Sequence, residues 1–362
     1  MGLGAFLICR RYWVRLGIIP ETLLERVALA LGRVPLPLVD TQFMFSVAQT
    51  VMVAVERGVF EVLAEGPARS GEVAAACETD PVATRKLLNA LVGVRYLEFD
   101  GDRFALPRRL RKWLLSSGEA SLVDKVRFAR VEWGLVEHYG RYLDTGRPRE
   151  MHRSLDAREW SLYQRGLRDV ARLSADEVSR RTPVPRRARL MLDIGGAHGL
   201  FSVAICRRHP GLYAEILDLP EAVAASAELL AAEGMAGRVR HRVGDVFETD
   251  LGEERFDLVF TSQFSHHLSD EQNRELARRV VRALRLGGVY LIQDGVRPEN
   301  RSELRRAGVG ALLDLYFGAT SAAGVWTLRE MHAWFTGAGL RLRPVRWLRT
   351  LPGVVQAAGV KR

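Results

Sequence analysis

Residues 190–200 read Leu-Met-Leu-Asp-Ile-Gly-Gly-Ala-His-Gly-Leu, and the rest of the chain is interpreted outward from them. The pattern predicts a short buried strand, Leu190 to Ile194, followed by a glycine turn and a helix from Leu200 to Arg208. Glycines tolerate positive φ and let a ligand approach the backbone closely. A strand, a tight turn and a helix N-terminus direct several backbone N–H groups into one small volume. Such a place can bind a nucleotide-like or carboxylate-bearing ligand.

Downstream of this turn, segments typical of strands and helices alternate. Further strands are predicted at 213–218, 238–243, 256–261 and 288–293. The helix from Asp270 to Leu284 begins with a capping box, Ser269 to Gln272. The alternation predicts a Rossmann-like α/β fold, a doubly wound parallel sheet with helices on both faces. The tail, with segments 340–347 and 354–360 around Pro352-Gly353, is predicted as an antiparallel hairpin at the sheet edge.

The first hundred residues are predicted to be mostly helical. Residues 10–34 suit a basic helix that packs on a partner subunit or on the following domain, and the run 39–63 is apolar on most sides and therefore expected to be buried. Asp80 and Pro81 begin a later helix as N-cap and first residue. Two short strands around an Asp-Gly turn follow at 96–106, which completes a winged-helix pattern. That pattern serves either DNA binding or dimerisation.

The second helix of the winged-helix pattern offers only Arg85, Lys86 and Asn89 for base readout and phosphate contacts, which favours the dimerisation scaffold. Residues 118–182 are helical and rich in aromatic side chains, so they suit a connector that also forms part of a pocket wall. Prolines in Thr182-Pro-Val-Pro end it. We therefore predict a dimerisation domain at 1–117, a connector at 118–185 and an α/β domain at 186–362.

Composition narrows the class of protein. A chain of 362 residues is long enough for two domains. Its net charge of +10 is compatible with nucleic acid or a membrane surface, but an arginine-rich surface without such a partner is the interpretation we favour. The three cysteines lack C-x-x-C spacing, which fits a reducing cytoplasm. The apolar start, Met1 to Cys9, precedes its arginines, the reverse of a signal peptide, and the sequence alone indicates no membrane span.

Three acids lie at the predicted carboxyl ends of three successive strands: Asp193, Asp218 and Asp245. A dinucleotide fingerprint would need glycine where this chain has Ala197 and Leu200, which argues against NAD or FAD. Asp193 could orient the turn or receive a ligand ammonium through water. Asp218 suits the two hydroxyls of a ribose, and Asp245, with the neighbouring Phe247, suits an adenine. Together with the glycine turn, these acids predict a site for an adenosyl ligand.

At this point residues 190–360 resemble the class I S-adenosylmethionine-dependent methyltransferases, and the full layout resembles the caffeate/hydroxyindole type of small-molecule O-methyltransferase. The motifs that carry the resemblance are Leu192-Asp-Ile-Gly-Gly-Ala-His-Gly199, Asp218-Leu-Pro220, Gly244-Asp-Val-Phe247, Phe256-Asp-Leu-Val259, Ser265-His-His-Leu-Ser-Asp-Glu271 and Leu284-Arg-Leu-Gly-Gly288. The resemblance implies S-adenosylmethionine as the cofactor. The cofactor-binding residues it implies are Asp193, Gly195, Gly196, Gly199, Asp218, Leu219, Gly244, Asp245, Val246, Phe247 and Ser262.

The same resemblance places a general base at His266, with Asp294 as its carboxylate partner. An imidazole with an ordinary pKa near about 6.5 can take a phenolic or enolic proton at neutral pH. The family has a second carboxylate in a Glu-Arg-Thr segment, where this chain has Val325-Trp326-Thr327. Either Asp294 alone suffices, or catalysis depends more on proximity and an acidic acceptor. The substrate-binding residues implied are Trp160, Tyr163, His267, Tyr316, Phe317 and Trp326.

The function predicted is therefore O-methylation of a hydroxylated, aromatic or polyketide-like small molecule by a cytoplasmic homodimer. Four alternatives remain open: carbon methylation, nitrogen methylation, a DNA-binding winged-helix regulator, and a protein that binds the cofactor without transferring methyl. No acid cluster near His266 has the spacing of an octahedral metal site, so no metal is predicted.

Overall fold

The computed structural model describes residue 20 and residues 22–304, 308–321 and 323–362. The described chain forms two compact units that meet in the sequence between Glu132 and Trp133. This boundary lies inside the segment 118–185 that the sequence predicts as a connector. Residues 10–19 and 21 of the predicted basic helix at 10–34 lie outside the described residues, and within its described part a helix, α1, runs over Leu23–Ala30.

The first unit is mostly helical and contains one small hairpin. Its elements are α1 (Leu23–Ala30), α2 (Leu36–Leu38), α3 (Met44–Glu56), α4 (Val59–Val62), α5 (Ser70–Ala76), α6 (Pro81–Gly93), β1 (Glu98–Asp100), β2 (Arg103–Ala105), α7 (Arg108–Leu114) and α8 (Val123–Val136), which runs into the second unit. The carboxylate of Asp80 caps α6 by accepting the Ala83 N–H at 2.7 Å, as predicted. Phe60, Leu88 and Phe104 are buried in one core, which joins helices and hairpin in a winged-helix arrangement.

The run 39–63 was predicted to be buried, and for its first half that prediction is wrong. Helix α2, a π-helical segment at Val39–Phe43 and helix α3 follow one another without a break. Phe43, Met44 and Phe45 are about half exposed, and burial begins only at Val51. Leu36–Glu56 is also long and apolar enough to span a membrane by length and composition, which is weak evidence for a single helix.

The second unit is an α/β layer structure. Its elements are α9 (Tyr139–Thr145), α10 (Met151–Ser154), α11 (Ala157–Arg172), α12 (Ala175–Arg181), β3 (Leu190–Ile194), α13 (Leu200–Arg208), β4 (Tyr213–Asp218), α14 (Pro220–Ala231), β5 (Val239–Val243), β6 (Phe256–Ser262), α15 (Asp270–Ala283), β7 (Leu284–Gly295), α16 (Arg301–Leu304), α17 (Gly308–Thr320), α18 (Leu328–Gly337), β8 (Arg341–Leu342), β9 (Arg346–Trp347) and β10 (Val354–Val360). The predicted strands are confirmed to within a few residues, and β7 is longer than predicted at both ends.

The sheet has the order β5-β4-β3-β6-β7-β10-β8, and β9 also pairs with β10. Strands β3 to β7 are parallel, whereas β10 runs antiparallel to β7, with β8 and β9 on its outer side. The strand order reverses beside β3, at the switch point where ligands bind outside the carboxyl ends of open α/β sheets. The Rossmann-like prediction with an antiparallel C-terminal hairpin is confirmed.

Both faces of the sheet are covered, as a parallel sheet requires. Side chains alternate along β3, so that Met191 packs into one layer and Leu192 into the other. Helices α13 and α12 supply the first layer, and α15 and α18 supply the second. The acids at the strand ends are thereby held against a rigid support.

Candidate active site

The glycine turn after β3, residues 193–199, contains three glycines whose surroundings leave no room for a side chain. Gly195 has φ +71°, and a Cβ there would strike the ring of Phe264. A Cβ on Gly196 would strike the carboxylate of Asp193. Gly199 has φ +72° and faces Ile216 and Leu230. Glycine is required here because the backbone must be left-handed or must approach a neighbour closely.

Ala197, at the centre of this turn, is held on both sides. Its N–H donates to Asp218 Oδ2 at 3.0 Å, and its carbonyl accepts from His241 Nε2 at 2.6 Å. Asp218 Oδ1 accepts the N–H of Leu219 at 2.8 Å. Since Ala197 has a positive φ of 21°, which is unusual for a residue with a side chain, these bonds fix a turn that would otherwise relax. His241 was missed by sequence reasoning, because its partner is 44 residues away.

The carboxylate of Asp193 is buried close to this turn, and that of Asp218 is partly buried beside it. Burial raises the pKa of Asp193 to about 7, although the hydroxyl of Ser202, which donates to Oδ2 at 2.6 Å, opposes the shift. Burial also raises the pKa of Asp218 to about 6, against the two backbone N–H groups that it accepts. Asp193 Oδ1 is buried without a hydrogen-bond partner among the described residues. A buried acceptor without a donor is costly, so this atom fits a ligand that brings one.

The remaining predicted cofactor residues lie at the ends of β5 and β6. Asp245 Oδ1 accepts the N–H of Phe247 at 2.7 Å, which closes a tight turn, and Phe247 is half-buried against the core. Val246 is buried, and Gly244 abuts the hydroxyl of Thr249. Ser262 Oγ accepts from Gln293 Nε2 at 3.0 Å. The acids at 193, 218 and 245 therefore follow three adjacent strands, as predicted, and the residues present fit an adenosyl group.

His266 lies in a 3₁₀ turn, Ser265–His267, after β6. Its Nδ1 lies 2.9 Å from Asp294 Oδ1, and both side chains are almost fully buried. Asp294 also accepts the N–H of Ser265 at 3.1 Å and of Gly295 at 2.8 Å. A carboxylate beside Nδ1 selects the tautomer in which Nδ1 carries the proton and Nε2 is free to accept one. The predicted pair is thus brought together by β6 and β7.

Aromatic side chains surround this imidazole. The ring of Phe317 stacks on His266 with centroids 3.7 Å apart, and Tyr316 meets Phe317 edge-on at 5.1 Å. His267 lies 4.2 Å from His266, and its Nδ1 is 2.7 Å from Ser321 Oγ. Helix α17 therefore brings two of the predicted substrate-binding residues to the base.

His152, on α10, is a residue that sequence reasoning missed. Its ring lies 4.7 Å from His267 and 5.5 Å from Trp160, and its Nε2 is 3.2 Å from Tyr163 Oη. Trp160 in turn packs beside Ala197 of the glycine turn. Burial lowers the pKa of His152 to about 4 and the pKa of His267 well below its usual range, with His266 adding to both shifts. These two imidazoles are neutral at pH 7, so the wall they form is polar without being charged.

Trp326, also predicted to bind substrate, is placed by the structure against the base-bearing turn. Its indole N–H donates to the Ser265 carbonyl at 2.9 Å, and its ring meets Trp334 edge-on at 5.3 Å. Val325, where the family has its second acid, is buried, so His266 has Asp294 as its carboxylate neighbour on this side. Among the described residues, no cluster of three or more His, Cys, Asp or Glu side chains could hold a metal ion.

A Rossmann-like sheet with a glycine turn and acids at its carboxyl edge is the arrangement expected of a class I methyltransferase. The chain matches the family model for the O-methyltransferase domain over residues 120–341 and the model for the O-methyltransferase dimerisation domain over residues 39–108. The first match covers more than half of the chain, so this protein belongs to the O-methyltransferase family. It is an S-adenosylmethionine-dependent methyltransferase.

Its similarity to individual proteins extends over most of their length. It is 28% identical to the N,N-dimethyltransferase OxyT of Streptomyces rimosus, over 84% of this chain and 90% of that protein. It is 27% identical to the 3-hydroxy-5-methyl-1-naphthoate 3-O-methyltransferase of Streptomyces sahachiroi, over 86% and 91%. The crystal structure of human N-acetylserotonin methyltransferase in complex with S-adenosylmethionine superimposes with a TM-score of 0.80 and 20% identity, covering 94% of this chain and 98% of that one. The family's relatives act mostly on aromatic or polyketide secondary metabolites.

Proposed function

We propose that the protein transfers a methyl group from S-adenosylmethionine to a hydroxyl of an aromatic or polyketide-like small molecule, with His266 as the general base. The observation that carries this proposal is the 2.9 Å contact between His266 Nδ1 and Asp294 Oδ1, inside a wall of aromatic side chains. A buried imidazole in this tautomer offers Nε2 to an acidic hydroxyl.

S-Adenosylmethionine supplies an electrophilic methyl group when it is bound, and the chain's own residues prepare the acceptor oxygen. His266 Nε2 takes the proton of the acceptor hydroxyl as that oxygen attacks. The imidazolium so formed is stabilised by Asp294, which is held by two backbone N–H groups. Asp218 would accept the ribose hydroxyls of the adenosyl part and Asp193 the ammonium of the methionine part, and the glycine turn would let the ligand lie against the backbone.

The acceptor is expected to be a planar, largely neutral ring system. Tyr316 and Phe317 offer ring faces and edges on one side of the base, and Trp160 and Tyr163 form a second aromatic group around His152. Aromatic pairs prefer stacked or edge-to-face arrangements, which suits a fused-ring acceptor. The neutral imidazoles of His152 and His267 add hydrogen-bonding groups without a fixed charge.

Nitrogen methylation is the second candidate. The relative OxyT is an N,N-dimethyltransferase, and an amine that is already deprotonated needs less help from a base. Val325 in place of a carboxylate is compatible with that lower demand. Carbon methylation of an activated ring would place a similarly small demand on His266.

The test is a His266→Gln variant assayed by mass spectrometry for S-adenosylhomocysteine formation with matched hydroxyl- and amine-bearing naphthalenes. For hydroxyl acceptors we expect kcat to fall about 100-fold or more, because general-base assistance typically contributes about that much. His332→Gln, on α18 away from the turn, is the matched control and should keep its activity. A loss of only a few-fold with hydroxyl acceptors would overturn the general-base assignment, and activity restricted to amines would favour nitrogen methylation.

The protein is further proposed to be a cytoplasmic homodimer that needs neither nucleic acid nor a membrane. The dimerisation-domain match at 39–108 includes most of the exposed apolar run that begins at Leu36. Large exposed apolar patches of this kind usually mark an interface. Sedimentation equilibrium should give twice the chain mass in a buffer without detergent.

A further inference from the structure

We infer that Trp326 is a positioning residue for the base: its indole N–H fixes the turn that carries His266. The inference rests on the proposed role of His266. It concerns the segment Gly324–Trp326, which lies between α17 and α18.

The backbone N–H and the backbone carbonyl of Ser265, the residue before the base, are both hydrogen-bonded to distant residues. Its N–H donates to Asp294 Oδ2 at 3.1 Å, and its carbonyl accepts from Trp326 Nε1 at 2.9 Å and from Asn273 Nδ2 at 3.0 Å. Ser265 is 1% exposed, so water cannot replace these donors. Without the indole N–H this carbonyl keeps Asn273 Nδ2 and the Leu268 N–H, which donates at 3.2 Å, but it loses its only donor from the segment Gly324–Trp326, so the turn can shift.

The same segment holds the next residue as well. Gly324 N–H donates to the His266 carbonyl at 3.2 Å. Asp314 on α17 fixes the segment by accepting the Val325 N–H at 2.8 Å. Two consecutive carbonyls of the base-bearing turn are therefore bound by residues 324 and 326.

Trp326 is itself anchored to the strand that supplies Asp294. It forms a bridge with Val296, directly after β7, and its carbonyl accepts the Arg297 N–H at 3.2 Å. Its ring packs edge-on against Trp334 and faces the Arg297 guanidinium at 6.0 Å. These contacts direct the indole N–H at Ser265. Because Trp326 is attached to the end of β7, which carries Asp294, it links the position of the base-bearing turn to that of Asp294.

This arrangement matters because the imidazole of His266 is oriented by the turn that carries it as well as by its own contacts. Asp294 binds one edge of the imidazole, and Phe317 covers one face. A turn that shifts by a few tenths of an ångström lengthens the Nδ1 to Asp294 contact and turns Nε2 away from the acceptor. Effects of this kind are felt in the rate and much less in binding.

The test compares two tryptophan-to-phenylalanine variants. Trp326→Phe keeps an aromatic ring against Trp334 but removes the donor to Ser265. Trp334→Phe is the matched control, because its indole N–H also makes a partly buried hydrogen bond, to Asp270 Oδ1 at 2.7 Å, but on α15 rather than on the turn. Both variants lose one donor from the same core.

The first readout needs no acceptor. Full-length protein saturated with S-adenosylhomocysteine is studied by ¹⁵N-correlated NMR of the histidine side chains, with His266 assigned by its loss in His266→Gln. In Trp326→Phe we expect the Nδ1–H resonance of His266 to shift upfield or be lost through exchange, whereas in Trp334→Phe it is unchanged. An unchanged resonance in Trp326→Phe overturns the inference and leaves the proposed function intact.

The second readout uses two acceptors of different acidity, 1-naphthol and 4-nitro-1-naphthol. If Trp326 acts through the base, Trp326→Phe lowers kcat about 5- to 10-fold for 1-naphthol but less than twofold for the nitro compound, which is already ionised. The KM for S-adenosylmethionine stays within twofold. An equal loss for both acceptors would mean a purely structural role and overturn the inference. Methylation of neither naphthol by the wild type would count against the proposed function, and the NMR comparison would then decide the inference alone.

Discussion

The glycine turn at residues 193–199 and the base-bearing turn at Ser265–His267 are built from partners at different distances along the chain. Ala197 binds Asp218, 21 residues away, and nearby glycines shape the backbone. The base-bearing turn binds Asp294, Ser321 and Trp326, at separations of 28, 54 and 61 residues. The first region therefore depends more on a local glycine motif, although His241 reaches Ala197 from 44 residues away, whereas the second depends on several elements packing together.

We expect the two regions to have different tasks, cofactor binding and orientation of the base. The glycine turn supplies backbone groups and carboxylates that bind the cofactor, so changes there should appear in its dissociation constant. The base-bearing turn orients one imidazole, so changes there should appear in kcat. Variants in the two regions test this division.

The largest effect is expected for Asp218→Ala. The carboxylate fixes Ala197 and is the predicted acceptor for two ribose hydroxyls, and bonds to a charged acceptor contribute about 1.5–3 kcal/mol each. Calorimetry should show the dissociation constant for S-adenosylhomocysteine rising at least about 100-fold. The matched control is Asp250→Ala, an exposed acid that accepts the Gly252 N–H at 2.9 Å. A change below about fivefold in Asp218→Ala would place the ribose elsewhere.

An intermediate effect is expected for Asp294→Asn. The amide cannot stabilise the imidazolium, and its NH₂ group would face the Ser265 N–H, so kcat for hydroxyl acceptors should fall about 10- to 100-fold. The affinity for S-adenosylhomocysteine should stay within twofold. Asp257→Asn is a suitable comparison, because Asp257 also accepts two backbone N–H groups, from Arg189 and Leu190, at the opposite ends of the strands. A matching loss of cofactor affinity in Asp294→Asn would show that the two regions do not divide the work.

The smallest effect is expected for the stability of Asp193→Asn in the absence of cofactor. Burial raises the pKa of Asp193 to about 7, so the folded protein holds a proton there more tightly than the unfolded chain does. The cost of the charge is absent below the ordinary pKa of aspartate and grows as the pH rises toward about 7. The variant, which keeps an acceptor for Ser202, should raise Tm at pH 8 by about 3–8 °C and leave it unchanged near pH 4.

Scanning calorimetry at the two pH values measures this effect. A lower Tm at pH 8 in Asp193→Asn would mean that the carboxylate is stabilised by its surroundings rather than strained by burial. In that case the glycine turn would carry no stored cost that a ligand could relieve.

The alternation of strands and helices, the glycine turn and the acids at the strand ends could all be predicted from the sequence alone. Each of these depends on local patterns: hydrophobic period, capping residues, and glycine where φ is positive or a neighbour is close. The family resemblance predicted His266 and Asp294 as a pair, and the structure brings the two side chains to 2.9 Å because the carboxyl ends of the parallel neighbours β6 and β7 meet at one edge. Their catalytic roles stay predictions.

The side chains that surround the base and the glycine turn could be identified only from the tertiary structure. His152 reaches His267 from α10, His241 binds the Ala197 carbonyl from β5, and Trp326 turns its indole to Ser265. The run 39–63 was likewise predicted to be buried, but its first half is exposed, since the hydrophobic pattern does not say which apolar face finds a partner within one chain. The physical reason is common to all four: a local pattern fixes which element forms, whereas the partner of a side chain depends on elements packed from distant parts of the chain.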